Sequence, residues 1–63
     1  MIAIERLRVK AGMSQQELAN ELNITQGAVS QWEKGVTAPS IDKLPELAKI
    51  LNCSIDELLG NKV

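Results

Sequence analysis

The segment TQGAVSQWEKG, residues 25–35, carries an unusual set of side chains for the outer face of a helix. Val29 and Trp32 share one side at helical spacing, which predicts that they point inward. The opposite side offers amide and hydroxyl groups from Gln26, Ser30 and Gln31. Exposed helix faces usually carry Glu and Lys, yet no charged residue lies between positions 23 and 32. Because a Gln amide presents an N–H donor beside a C=O acceptor, this face suits hydrogen bonding to a base edge such as that of adenine.

The sequence lacks several features that catalytic and metal-binding sites commonly have. There is no His and no Tyr, so the lone cysteine, Cys53, has no His to activate it. The eight acidic residues are scattered along the chain, and no glycine-rich phosphate loop is present. The sequence therefore predicts a protein that is not an enzyme and that uses no metal and no cofactor.

Length, charge and cysteine content set the broad class of the protein. With 63 residues, the chain fits one domain, residues 1–63, with a polar tail at 61–63. The net charge of −1 argues against a non-specific nucleic-acid coat protein, but it allows a sequence reader whose few cations lie on one side. One cysteine permits no internal disulfide, and neither a secretory signal nor an apolar run of membrane-spanning length is present. We therefore expect a cytoplasmic protein without a membrane partner.

Hydrophobic spacing and capping residues predict helices throughout the chain and no convincing strand. A first helix has apolar residues at helical spacing and stops at Gly12. Ser14 and Glu17 form a capping box, in which each side chain bonds the other residue's backbone N–H, and this box opens a second helix. Thr25 is placed to cap a third helix, which Gly35 ends. The predicted fold class is all-α.

The second half of the chain is predicted to contain two more helices. Ser40 is placed to cap a fourth helix. Its apolar positions are Ile41, Leu44, Leu47, Ala48 and Leu51. Pro45 fits this segment better if the helix begins only at Leu44, after a looser turn. A second capping box, Ser54 with Glu57, opens a short fifth helix that ends at the next glycine.

One local pattern occurs twice: a helix ends at Asn, an apolar residue follows, and a hydroxyl residue caps the next helix. The two copies are Asn23-Ile24-Thr25 and Asn52-Cys53-Ser54. Asn tolerates the left-handed conformation that such a corner requires. A helix that reads DNA must approach the bases past two rows of phosphates, which repel carboxylates. Because two acidic residues lie in the first turn after the second corner and none lies in the first turn after the first corner, the first corner is predicted to read DNA and the second to act as scaffold.

Residues 15–35, QQELANELNITQGAVSQWEKG, resemble the helix-turn-helix of the Cro and phage-repressor type, also called the XRE family. The resemblance extends to Leu7-Arg8 and to the fourth helix, and it covers the chain from about Ile4 to Gly60. It implies a compact five-helix, lambda-repressor-like domain with the helix-turn-helix at helices 2 and 3. It also implies a bacterial or phage transcriptional regulator, more often a repressor than an activator. Such a regulator binds a near-palindromic, double-stranded DNA operator as a homodimer.

The same resemblance implies roles for individual residues. Base-contacting positions fall on Gln26, Gly27, Ser30 and Gln31. Contacts to the DNA backbone are expected from Gln15, Thr25, Lys34 and Lys43. Arg8 and Glu33 match a pair that is ion-paired between the first and third helices of relatives. Where relatives usually have Gly in the turn, this chain has Asn23.

Simpler interpretations of these residues remain open. The Gln and Ser side chains also fit a plain solvated face, and Gly27 fits local slack as well as room for DNA. Lys34 fits the negative end of the helix dipole, and Gln15 fits a polar residue at a helix start. Trp32 and Cys53 are expected to belong to the core rather than to stack on a base or to react as a thiol.

The candidate DNA surface carries few cations. The loop VTAPS has no basic residue, whereas many relatives carry basic residues there. This favours an alternative function, a small protein–protein interaction module that uses the same fold without DNA. The ending GNKV also fits a linker within a longer regulator. Leu58, Leu59 and Val63 form a candidate dimer surface, because so small a domain cannot easily bury them all.

Overall fold

The computed structural model describes residues 3–60, which form five α-helices. These are α1 (Ile4–Lys10), α2 (Gln15–Leu22), α3 (Gln26–Lys34), α4 (Lys43–Ile50) and α5 (Ile55–Leu58). No strand occurs within the described range, so the predicted all-α class is confirmed. The predicted tail at 61–63 lies outside the described residues.

Three helices begin at the side-chain caps that the sequence predicted. The Ser14 hydroxyl accepts from the Glu17 N–H at 3.0 Å, and the Glu17 carboxylate accepts from the Ser14 N–H at 2.9 Å. Ser54 and Glu57 make the same reciprocal pair at 3.0 and 3.1 Å. Thr25 caps α3, its Oγ1 accepting a backbone N–H at 3.2 Å. These bonds satisfy amides that have no partner inside their helix.

Both predicted corners turn at an asparagine. Asn23 has φ +59° and Asn52 has φ +54°, in the left-handed region that Asn enters more readily than most residues. In each corner the next N–H donates to the carbonyl oxygen five residues earlier, at 3.0 Å for Ile24 and 2.9 Å for Cys53. Both of these apolar side chains are partly buried against the core. The repeated pattern therefore produces two corners with the same geometry.

One aliphatic core holds the helices together. It consists of Ile4, Leu7, Leu18, Ala19, Leu22, Val29, Trp32, Leu47, Leu51 and Leu58. Helix α2 packs against α3 and α4, α1 packs against α3, and α4 packs against α5. The Ala3 N–H donates to the Leu58 carbonyl oxygen at 2.8 Å and so joins the first helix to the last. Helix α3 thus packs into the core through its inner side, and its outer side faces solvent.

The start of α4 corrects one prediction. Ile41 precedes the helix and is 86% exposed, so its predicted place in the helix is wrong, and Ser40 does not cap the helix with its side chain. Helix α4 begins at Lys43, close to the alternative start at Leu44. A helix that began at Ile41 would place Pro45 where its missing N–H should bond to Ile41 and where its ring would clash. In the observed helix Pro45 is the third residue, where no N–H is needed.

The candidate dimer surface at the C-terminus also needs correction. Leu58 is fully buried in the core of its own chain, so it is not available to a partner. Leu59 is 39% exposed, whereas Val63 lies outside the described residues. The prediction failed because α5, though only four residues long, turns Leu58 inward beneath α4.

Candidate functional site

The outer side of α3 presents the four residues predicted to contact bases, here called the reading face: Gln26, Gly27, Ser30 and Gln31. At about 100° per residue they span roughly 140° of the helix, on the side opposite Val29 and Trp32. Ser30 is half-buried and the other three are exposed, while Val29 and Trp32 are buried. The reading face is therefore a solvent-facing strip of neutral donors and acceptors.

Gly27 leaves a gap in the reading face. A Cβ built at this position would meet nothing closer than Thr25 Oγ1 at 4.0 Å, and the backbone of Gly27 does not require glycine. Packing within the chain thus gives no reason for glycine here. The missing side chain exposes the first turn of α3 to close approach by another molecule.

Beneath one edge of α3, Arg8 and Glu33 form an ion pair. Arg8 Nε donates to Glu33 Oε2 at 2.6 Å, and Arg8 Nη2 donates to Glu33 Oε1 at 3.2 Å. The two side chains are only 12% and 4% exposed. Arg8 Nη1 also donates to the Met13 carbonyl oxygen at 2.7 Å. The guanidinium thereby ties α1 to α3 and to the turn before α2, and the two residues predicted to pair are brought together.

The ionised state of Glu33 depends on its neighbours. Burial raises the pKa of the Glu33 carboxyl, but hydrogen bonds from Arg8 and Gln15 and the charge of Arg8 outweigh burial and hold that pKa below its usual value. The hydrogen bond with Glu33 in turn raises the pKa of Arg8. The pair is therefore fully charged at neutral pH.

Two glutamine amides connect this ion pair to the reading face. Gln15 Nε2 donates to Glu33 Oε1 at 2.8 Å, and Gln26 Nε2 donates to Gln15 Oε1 at 2.5 Å. We call the chain Arg8–Glu33–Gln15–Gln26 the amide relay. Gln15, predicted to contact DNA phosphate, is half-buried and joins α2 to both ends of α3.

Sequence reasoning did not predict the relay, although one signal for it is present. Gln26 and Glu33 are seven residues apart, which is about two helical turns or 10.5 Å along one side of α3. A single long amide side chain from the neighbouring helix can bridge that gap. The predicted start of α2 beside α3 places Gln15 in the position to do so.

The other predicted backbone-contacting residues lie elsewhere on the surface. Thr25 is exposed at the start of α3, where it serves as the cap. Lys34 is exposed in the last turn of α3, where the helix dipole also favours a cation. Lys43 is half-buried at the first residue of α4. Thr25 and Lys34 therefore mark the two ends of α3, and Lys43 lies beyond the loop.

Two cations of α1, Arg6 and Lys10, lie near Glu57 of α5. Hydrogen bonding from the Ser54 N–H is the main cause of the lowered pKa of Glu57, and the charges of Lys10 and Arg6 add smaller contributions. The positive charges of Arg6 and Lys10 are thus partly balanced by a carboxylate.

The described part of the chain lacks two further classes of site. No cluster of His, Cys, Asp and Glu side chains in it could hold a metal ion. None of its helices combines the length and apolar character needed to cross a bilayer.

Comparison with known proteins places this geometry in a family. Residues 4–58 match the helix-turn-helix family model. The chain is 32% identical over 59 residues to the HTH-type transcriptional activator BcrR of Enterococcus faecalis, an alignment that covers 94% of this chain and 29% of BcrR. It is 39% identical over 57 residues to the HTH-type transcriptional regulator ImmR of Bacillus subtilis, covering 90% of this chain and 45% of ImmR. It is 38% identical over 56 residues to Repressor protein C2 of Salmonella phage P22, covering 89% of this chain and 26% of that repressor.

The chain spans less than half the length of each of these three relatives. The match nevertheless includes all five helices and both corners. The predicted lambda-repressor-like fold, with its helix-turn-helix formed by α2 and α3, is confirmed. This chain belongs to the XRE-type helix-turn-helix family of transcriptional regulators.

Proposed function

We propose that the chain binds double-stranded DNA sequence-specifically, as a transcriptional regulator that acts as a repressor in the cytoplasm of a bacterium or phage-infected cell. The observation that carries this proposal is the reading face: neutral, exposed and held from behind by buried Val29 and Trp32. A helix presented in this way fits the major groove, where each base pair shows a distinct pattern of donors and acceptors. Among the three relatives described above, the name of the phage P22 protein supports repression, whereas BcrR is named an activator.

Within the reading face, the residues have different tasks in this proposal. Gln26 and Gln31 make the direct base contacts, since a Gln amide pairs with the N6 and N7 edge of adenine for about 1–3 kcal/mol of discrimination. Ser30 supports them with a hydroxyl that donates or accepts. Gly27 lets the backbone of α3 come close to the DNA, as its empty surroundings allow.

Contacts to the sugar-phosphate backbone hold the helix in register. We assign them to Gln15, Thr25, Lys34 and Lys43. Such contacts orient the protein without carrying sequence information directly. Gln15 keeps one N–H for a phosphate after its bond to Glu33, because an amide nitrogen carries two hydrogens.

The operator is proposed to be near-palindromic and bound by a homodimer. A two-fold dimer recognises two half-sites about one helical turn apart, roughly 34 Å. Because Leu58 is buried, Leu59 is the one residue of the predicted dimer surface that is both described and exposed. Removal of residues 59–63 is expected to leave a monomer, and a dimer that persists in sedimentation experiments would reject this surface.

Selection from a randomised duplex DNA pool, in about 150 mM salt where non-specific binding is weakened, tests the function. Wild type, Gln31→Ala and the control Gln16→Ala are run side by side, Gln16 being an exposed residue of α2 bonded to Asn20. We expect wild type and the control to enrich the same near-palindrome. Gln31→Ala should lose preference at one position in each half-site. If no sequence is enriched by the wild type, specific DNA binding is rejected.

A second candidate function is a protein–protein interaction module. The loop between α3 and α4 exposes two apolar side chains, Val36 at 68% and Ile41 at 86%, and the net charge of the chain is −1. This candidate predicts no saturable DNA binding at physiological salt. It also predicts that Ile41→Lys abolishes capture of a protein partner and leaves the fold unchanged.

A further inference from the structure

In the proposed function, the reading face recognises bases through neutral amides. Gln26 and Gln31 are its two amide side chains, and none of its four residues is charged. A Gln amide that binds adenine accepts a hydrogen bond from N6 and donates one to N7. Lys and Arg side chains, which only donate, pair instead with the acceptors N7 and O6 of guanine. Recognition by this face therefore depends on the donor hydrogen of adenine N6.

That donor hydrogen can be replaced by chemical modification of the DNA. Adenine N6 carries two hydrogens, of which one pairs with thymine and the other points into the major groove beside N7. When N6 is methylated, the base pair keeps the remaining hydrogen, so the methyl group takes the place of the groove hydrogen. N7 still accepts a bond, but the carbonyl oxygen of the Gln amide faces a methyl group and loses its donor. Methylation thus removes one of the two bonds and leaves a desolvated acceptor without a partner.

We propose that this protein distinguishes operators by their methylation state, binding the unmodified operator in preference to one that carries N6-methyladenine opposite Gln31. This inference rests on the proposed function and names a way in which that function is regulated. Gln31 is chosen because it is exposed, whereas Gln26 also bonds to Gln15 and so joins two helices. The reaction that controls binding is then the transfer of a methyl group to adenine in duplex DNA.

The scarcity of positive charge makes operator occupancy sensitive to the loss of one base contact. Two lysines, Lys34 and Lys43, are assigned to phosphate, and residues 36–40 after α3 contain no basic residue. Phosphate contacts are the same on methylated and unmodified DNA, so they contribute equally to the affinity for both. Because this chain has few of them, little affinity remains once base contacts are lost. A moderate penalty is therefore enough to leave a methylated operator unoccupied.

The gap at Gly27 determines the kind of penalty that a methyl group causes. Gln31 lies one turn after Gly27 on the same side of α3, and helical side chains lean toward the preceding turn. A Cβ at Gly27 would meet nothing closer than Thr25 Oγ1 at 4.0 Å, so the Gln31 side chain has room to move away from a methyl group. The penalty is thus a loss of hydrogen bonding and not a steric clash. It corresponds to about tenfold in affinity for each methylated half-site.

The test uses the near-palindrome that wild type enriches in the selection experiment. It is synthesised unmodified, with N6-methyladenine at the position where Gln31→Ala loses preference, and with N6-methyladenine only in the flanks outside both half-sites. Methylation of both half-sites should weaken wild-type binding by about a hundredfold, and methylation of the flanks should have no effect. The control Gln16→Ala should behave as wild type does. Equal affinity of wild type for all three duplexes would overturn the inference.

Titrations of Gln31→Ala separate a lost contact from a change in the DNA itself. This variant has no amide bond for the methyl group to remove, so its affinities for the methylated and unmodified operators should agree within about twofold. A penalty of the same size in Gln31→Ala and wild type would mean that methylation acts through DNA shape, and the inference would be overturned. An enriched operator without adenine at the Gln31 position would also overturn it. These two outcomes leave sequence-specific binding intact, whereas a wild type that enriches no sequence rejects the proposed function and the inference together.

Discussion

At the scale of single residues, Glu33 illustrates how one side chain serves both the fold and the surface. Its carboxylate forms an ion pair with Arg8 and accepts a hydrogen bond from Gln15, so both carboxylate oxygens are bonded within the chain. An uncompensated charge at this depth destabilises a protein, which explains why Arg8 and Glu33 occur together. The outward consequence, an oriented Gln26, follows without any further interaction.

Acid is expected to weaken the contribution of Glu33 to stability. Because the folded-state pKa of Glu33 lies below its unfolded value, its stabilisation is complete above about pH 4.3 and is lost as the pH falls through the folded pKa. Glu33→Gln should lower the free energy of unfolding by about 3 kcal/mol at neutral pH. Thermal melting of both proteins between pH 7 and pH 2.5 measures the difference in stability between them.

The difference between the two proteins isolates Glu33 from the other carboxylates. Glu17 and Glu57 also have lowered pKa values, because the Ser14 and Ser54 N–H groups bond to them, but both are present in each protein. The difference in free energy of unfolding between wild type and Glu33→Gln should therefore become smaller in acid. A difference in stability that stays constant down to pH 2.5 would contradict the stabilising role of ionised Glu33.

Gly27→Ala is expected to change stability and binding in opposite directions. The added methyl group fits the folded chain, and it restricts the unfolded chain, so the free energy of unfolding should rise by about 0.4–1 kcal/mol. DNA affinity should fall, because the same methyl group occupies the space proposed for the DNA. Urea unfolding and a DNA titration measure the two effects. Unchanged affinity in the stabilised variant would show that the gap has no role in binding.

At the scale of the elements, side-chain caps decide where the helices begin. Ser14→Ala removes the bond to the Glu17 N–H and should lower the free energy of unfolding by about 1 kcal/mol. Ser40→Ala is the matched control, because Ser40 precedes α4 without capping it, and its effect should stay below about 0.5 kcal/mol. Chemical denaturation of both variants makes the comparison. Equal losses would contradict the capping assignment.

The sequence could predict the features that depend on neighbouring residues. Capping boxes, Asn corners and glycine stops act over a few residues, and the starts of α2, α3 and α5 followed from them. The start of α4 was ambiguous because Ser40 and Pro45 gave opposing local signals. The amide relay was not predicted, because the spacing of Gln26 and Glu33 is only one part of it and the rest depends on side chains from three helices and on two amide orientations.

At the scale of the whole molecule, positive charge is scarce where DNA is proposed to bind. The chain has seven Lys and Arg residues, of which Arg8 is paired inside and Arg6 and Lys10 lie near Glu57. Lys34 and Lys43 are the cations assigned to phosphate. In the proposed DNA complex, specificity would therefore depend more on amide contacts than on charge.

Salt should consequently weaken DNA binding only moderately. Two lysines from each subunit of a dimer correspond to about four released counterions, which gives a slope near −4 in a plot of log affinity against log salt concentration. Titrations between 50 and 300 mM salt, at roughly neutral pH, measure this slope. A slope steeper than about −6 would mean that other cations contact the DNA.

The two amides proposed to read bases differ in how freely evolution can replace them. Gln31 lies exposed on α3, so a substitution there would alter the proposed recognition with little effect on folding. Gln26 is bonded to Gln15, so a substitution at position 26 by a residue that cannot donate also removes a hydrogen bond between α3 and α2. If both amides read bases as proposed, a lineage that carries this domain reaches new operators most easily by mutation at position 31, because a change at position 26 also removes a contact between two helices.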